Sequence, residues 1–150
     1  EWGPIVIVGD RTAVSEKVRA AWDQTGAATR HNQRIVLSVA FNYGGRWDIV
    51  QACQHALRDR VDPALLDEAK LSSYMSMSFA PDPDLFIRTG GEVRISNFLL
   101  WQTAYAELFF TDCLWPDFDV KALDAAIESY ASRDRRFGGV KVDAVADSAS

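Results

Sequence analysis

Cysteine is scarce in this chain. Cys53 and Cys113 are the two in 150 residues; they provide no disulfide framework and read as small buried hydrophobes in a reducing cytosol. No apolar run approaches the length a membrane-crossing helix needs, and no signal peptide is visible, so the expected location is cytoplasmic. Basic residues are outnumbered, 16 Lys and Arg against 21 Asp and Glu, for a net charge of −5. With a pI near 4.9, the chain lacks the basic face of a nucleic-acid binder. No internal repeat is present. Glu1-Trp2-Gly3-Pro4 carries no initiator methionine, which agrees with an internal starting point.

What is present alternates between strand and helix patterns. Pro4 to Val8 reads as a short apolar strand, followed by a helix from about Ser15 to Thr25. Arg34 to Phe41 alternates only partly, as a strand buried on both faces does. The turn Asn42–Gly45 leads into a helix from about Trp47 to Arg60, with Ile49, Val50, Cys53 and Leu57 on its apolar face. Pro63 opens a short helix containing Leu65 and Leu66. Asp84 to Arg88 and Leu108 to Thr111 read as strands, and Asp119 caps a helix whose apolar face is Val120, Leu123, Ile127 and Tyr130. Residues 140–150 read as a mobile polar tail. The order predicts an α/β fold with a mostly parallel sheet flanked by helices.

The densest chemistry lies between Pro81 and Phe118. Arg88 falls at the carboxyl end of a buried strand, where open α/β sheets bind ligands. Gly90-Gly91 lets the backbone turn sharply and approach a ligand. Ser96 and Asn97 stand just before Phe98, Trp101 and Tyr105, whose spacing predicts a helix with an N-cap. Arg94 and that helix start offer guanidinium forks, a hydroxyl and free N–H groups, chemistry suited to a diphosphate. The plainer alternatives are surface ion pairs for both arginines and a simple cap for Ser96. Trp101, Tyr105, Phe109, Phe110 and Trp115 read as core or dimer contacts rather than a ligand pocket.

Taken together, Ile87-Arg88-Thr89, Gly91-Glu92, Arg94, Ser96 through Gln102, Ala104-Tyr105, Glu107, Phe110 and Trp115-Pro116-Asp117-Phe118 resemble the C-terminal block of the cis-prenyltransferases, in particular the bacterial undecaprenyl diphosphate synthases. Ile7-Val8-Gly9-Asp10, Asn42 through Asp48 and Arg136-Phe137-Gly138 are similar to further landmarks of that family. The resemblance spans residues 2–139, so residues 1–139 are expected to be the C-terminal portion of a single domain of this family. Val93 stands where many bacterial members have histidine.

The resemblance implies condensation of isopentenyl diphosphate with farnesyl diphosphate into a long Z-polyprenyl diphosphate, the undecaprenyl carrier precursor of bacterial cell walls. It implies that Arg88, Arg94, Ile95, Ser96, Arg136 and Gly138 bind substrate. Glu107 would help place Mg²⁺, with a solvated glutamate at a helix end as its plain alternative. It further implies a homodimer and peripheral membrane association at product release. The family's N-terminal His-x-x-Met-Asp-Gly-Asn element has no counterpart, so the sheet is expected to lack its N-terminal strands and open a long unpaired edge. The catalytic aspartate and asparagine are expected outside this chain, which by itself would be incomplete and inactive. Asp82-Pro83-Asp84 is the nearest approach to an Asp-Asp-x-x-Asp pair, which weighs against the all-helical trans-prenyltransferases. Two other readings remain: the non-catalytic scaffold subunit of a two-component enzyme, and a diphosphate-binding module.

Overall fold

The computed structural model describes residues 3–132. The described residues divide into two compact units, one holding those up to Pro83 together with Arg94–Ala104, the other Asp84–Val93 and those from Tyr105 to 132.

The first unit begins with β1 (Ile5–Val8), α1 (Glu16–Thr29) and β2 (Leu37–Ala40). β1 and β2 are parallel, Ile5 opposite Leu37 and Val8 opposite Ala40, a pairing that requires a crossover, here supplied by α1. Ser15 caps α1, its Oγ accepting the Val18 N–H at 3.4 Å. Thr29 Oγ1 accepts the Ile5 N–H at 3.0 Å and ties the end of α1 to the strand. Trp22 is buried on the inner side of α1, edge-on to Phe41 with ring centroids 5.5 Å apart. Contrary to the two-sided burial expected of β2, Ile35, Val36, Leu37, Val39 and Phe41 are exposed. Among the described residues, β2 pairs with β1 alone.

α2 (Gly45–Arg58) follows, then a 3-10 turn at Pro63–Leu65 and the short α3 (Glu68–Ser72). Small residues make the inner side of α2: Gly45, Asp48, Ala52 and Ala56 are buried. The apolar side chains expected to face inward do not: Val50 is 55% and Leu57 72% exposed, and Cys53 is half-buried. Alanines at i and i+4 let a helix lie close to its neighbour, and that geometry takes the inner side here.

In the second unit β3 (Leu85–Arg88) and β4 (Glu107–Phe110) pair in parallel, Leu85 opposite Glu107 and Arg88 opposite Phe110. A 3-10 turn at Trp115–Asp117 leads to α4 (Val120–Ala131). Asp119 caps α4 as expected, its Oδ1 accepting the Ala122 N–H at 3.0 Å. The inner side of α4 is again built on alanine, with Ala126 fully buried while Val120, Leu123 and Ile127 are exposed. Both strand pairs are parallel and flanked by helices, the α/β class the element order predicts.

Candidate functional site

Arg88 closes β3 with its side chain 23% exposed. The turn behind it needs glycine: Gly90 and Gly91 have φ of 87° and 76°, left-handed backbone that other residues adopt at a cost. The amides of this turn are already engaged. Gly90 N–H donates to the Cys113 carbonyl (2.9 Å) and Gly91 N–H to that of Thr111 (3.0 Å). The glycine pair therefore locks the end of β3 to the segment after β4. Arg88 Nη2 lies 3.9 Å from Glu92 Oε2, beyond direct hydrogen-bond reach.

Glu107 is half-buried and opens β4 instead of standing at a helix end. The register places it beside Leu85, at the opposite end of the strand pair from Arg88, about 10 Å away along the strands at 3.3 Å per residue. The second unit thus does not bring Glu107 to Arg88. Among the described residues, no three His, Cys, Asp or Glu side chains cluster as a metal site.

Arg94, Ile95 and Ser96 belong to the first unit, Arg94 and Ser96 exposed and Ile95 half-buried. The helix expected after Ser96 is absent; residues 97–105 form a chain of turns. Ser96, Asn97 and Leu99 have φ of 46°, 62° and 46°. Three left-handed residues in four cannot propagate a right-handed helix. Ser96 is therefore no N-cap, and the anion-favouring helix start falls away. The arginine and hydroxyl chemistry remains. Of the aromatics, Trp101 donates its Nε1–H to Ser72 Oγ at 2.8 Å, whereas Tyr105 and Trp115 are each 75% exposed and no part of a core in this chain. Arg136 and Gly138 lie outside the described residues.

These turns take their shape from α2. Gly44, which precedes the helix, has no capping side chain of its own. Asn97 supplies the cap from 51 residues away: its Oδ1 accepts the Arg46 N–H at 2.9 Å. The Asn97 main-chain carbonyl accepts the Gly45 N–H at 2.7 Å. A Cβ on Gly45 would fall 2.8 Å from the Leu100 nitrogen, and one on Gly44 2.7 Å from Asn97 Nδ2. Close approach to the Leu100 main chain therefore demands glycine at position 45, while at position 44 the neighbour is the Asn97 side-chain amide.

One turn into α2, Asp48 is the largest wholly buried side chain among the described residues. Its Oδ1 accepts from Gln51 Nε2 (2.8 Å), the Ser76 N–H (2.9 Å) and Ser76 Oγ–H (2.7 Å). Its Oδ2 accepts from Tyr43 Oη–H (2.7 Å) and Gln102 Nε2 (3.1 Å). Burial pushes the Asp48 carboxyl up and is the largest single influence. The hydrogen bonds from Ser76, Tyr43 and Gln102 together outweigh it and hold the group below the usual carboxylate range. Burial, with the Asp48 carboxylate beside it, drives the Tyr43 hydroxyl well above its ordinary value. Tyr43, Asp48 and Gln102 lie in the stretches that carry the resemblance, and Asp48 is in phase with Gly45, Ala52 and Ala56, but no sequence pattern joins them into this network.

Comparison with known proteins bears on the same residues. The family model described as "Putative undecaprenyl diphosphate synthase" matches residues 4–138. An isoprenyl transferase of Nitrosomonas europaea is 53% identical over 133 residues, 88% of this chain and 51% of that protein. One from Fusobacterium nucleatum is 50% identical over 135 residues, 90% of this chain and 57% of its own length. The chain thus spans about half the length of the curated relatives it matches. Among solved structures, a probable undecaprenyl diphosphate synthase from Campylobacter jejuni superimposes with a TM-score of 0.82 at 30% identity, covering 90% of this chain and 62% of that one. Lavandulyl diphosphate synthase from Lavandula x intermedia, solved in complex with dimethylallyl diphosphate, gives 0.84 at 33% identity, covering 90% and 60%. The strand end bearing Arg88, the left-handed turns after Arg94 and the Gly44-Gly45 joint all fall within the matched stretch, and the chain belongs to the undecaprenyl diphosphate synthase family of cis-prenyltransferases.

Proposed function

We propose that this chain carries the isopentenyl diphosphate site of an enzyme that condenses isopentenyl diphosphate with farnesyl diphosphate into a long Z-polyprenyl diphosphate. The undecaprenyl product, a carrier precursor for cell-wall synthesis, is the proposed end point. The observation that carries this reading is the placement of Arg88 at the carboxyl end of a parallel strand, one residue ahead of a left-handed glycine turn. That is where α/β folds receive ligands.

In this reading the guanidinium groups of Arg88 and Arg94 hold the diphosphate oxygens in bidentate fashion, and the Ser96 hydroxyl donates a further hydrogen bond. Ile95 contributes its main chain, and Arg136 and Gly138 complete the diphosphate site of a second copy of the chain. These residues bind and orient the isopentenyl group, so their contribution to rate is proximity. Its double bond attacks the allylic carbon as the allylic diphosphate departs, and loss of a proton leaves the Z double bond. A divalent metal, proposed as Mg²⁺, would neutralise charge on the departing diphosphate.

Glu107 fits as one oxygen ligand among substrate phosphates and water, the usual magnesium arrangement, and does not amount to a site by itself. Its place at the far end of the strand pair from Arg88 supports service to a site shared with a second copy, hence a homodimer. A cytoplasmic enzyme with peripheral membrane contact at product release completes the reading. Among the described residues, no helix is long and apolar enough to cross a membrane.

The test has two arms. Isothermal titration of this chain with isopentenyl diphosphate should show binding that Arg94→Ala weakens. The full-length gene product should incorporate labelled isopentenyl units into farnesyl diphosphate, and chelation of the metal should stop it. Binding without turnover would replace the enzyme by a scaffold subunit or diphosphate-binding module, and the absence of both would end the proposal.

A further inference from the structure

We propose that Asn97 is a positioning residue for the isopentenyl diphosphate site, fixing Ser96 and Arg94 from the first turn of α2; the proposal rests on the substrate reading of those two residues given above. Ser96 and Asn97 are consecutive left-handed residues. No helix or strand spans residues 94–102 to impose that conformation. Three observations show what does impose it. The Asn97 side chain and main-chain carbonyl take the Arg46 and Gly45 N–H groups. Gly45 admits the Leu100 main chain at a distance no side chain would allow, and Gly44 leaves room for the Asn97 side-chain amide. At the far end of the segment, Gln102 is held by Asp48, one turn further along the same helix. Asn97 and Gln102 are therefore both anchored to one turn of α2, and a cavity of about 250 Å³ opens beside Arg46, Asn97 and Leu100. Ser96 adjoins the anchored residue and inherits its orientation.

The experiment compares Asn97→Ala, Asn97→Gly and Asn97→Asp in the full-length gene product, with Arg94→Ala as the reference. Aspartate keeps the acceptor for the Arg46 N–H. Glycine loses the acceptor while keeping left-handed backbone accessible. KM for isopentenyl diphosphate should rise roughly fivefold in the alanine and glycine variants, the scale set by losing a cap. KM for the allylic diphosphate should stay put, and Asn97→Asp should lie near wild type. Faster hydrogen exchange at the Arg46 amide in the two deficient variants would report the lost cap without reference to activity. Should Asn97→Ala lose its folded state, the glycine variant carries the comparison. Wild-type KM in the glycine variant, or an equal rise for both substrates, overturns the proposal when Arg94→Ala itself shows its defect. No defect in Arg94→Ala overturns the substrate reading, and this inference with it.

Discussion

Helices α2 and α4 solve the same problem with different means. Each turns alanine inward, Ala52 and Ala56 in one and Ala126 in the other, and leaves larger apolar residues outside. Their anchors differ. α4 is capped by its own Asp119, whereas α2 is capped by a residue 51 positions away and clamped through Asp48 to Tyr43, Gln51, Ser76 and Gln102. A locally capped helix can be changed at little cost to its surroundings. One anchored through distant residues organises those residues as well.

The largest break in that comparison should come from Asp48→Ala. Removing the carboxylate strands several buried donors, each costing about 1–3 kcal/mol, so chemical denaturation should show a loss of roughly 3 kcal/mol or more. The same group sets an acid limit. Its folded pKa is depressed, so its contribution is complete above the unfolded value near 3.9 and fades as pH falls through the folded value. Tyr43 works in the other direction. Its pKa is raised, so its contribution holds below about pH 10 and fades as pH climbs through the higher folded value. Stability should therefore be flat near neutrality and fall at both extremes, with the acid limb diminished in Asp48→Asn.

Next in size, Arg88→Ala should cost about 1.5–3 kcal/mol of isopentenyl diphosphate interaction, read as kcat/KM in the full-length gene product; unchanged kinetics would remove Arg88 from the site. Asp119→Ala, the local cap, should cost about 1 kcal/mol of stability. A loss matching that of Asp48→Ala would erase the contrast between the helices. Leu57→Gln and Ile127→Gln should each stay within about 0.5 kcal/mol, and a larger loss in the full-length protein would show that something covers that side of the helix.

Much of the architecture was legible in the sequence. The four strands and three longer helices appear near their expected positions because caps such as Ser15 and Asp119 and the short apolar runs act locally. Two things were not legible, for related reasons. Phe98, Trp101 and Tyr105 have helical spacing, yet left-handed Ser96, Asn97 and Leu99 stop a helix from starting. That preference is imposed by contacts with Gly44 and Gly45, which no local pattern encodes. The inner sides of α2 and α4 were assigned to the bulkiest apolar residues, while the alanines set the approach. Of the residues proposed for the site, Arg88 sits where the strand pattern placed it, and Glu107, proposed for the metal, does not share its end of the strand pair. Asp48 was visible as part of the Asn42–Asp48 stretch, but its buried network was not, because its partners Ser76 and Gln102 converge only in three dimensions.

The Asn97 cap also has a kinetic consequence. A segment without regular structure of its own, whose shape depends on a contact 51 residues upstream, can be ordered only after that loop has closed and α2 has formed. Loop-closure entropy precedes any gain from the contact. The turns around Ser96 should therefore be among the last parts of the first unit to assemble and among the first to open. Pulse-labelled hydrogen exchange during refolding would show Arg46 and Gly45 gaining protection after the interior amides of α2. The surface proposed to grip the substrate would then be the part of this unit that the chain completes last.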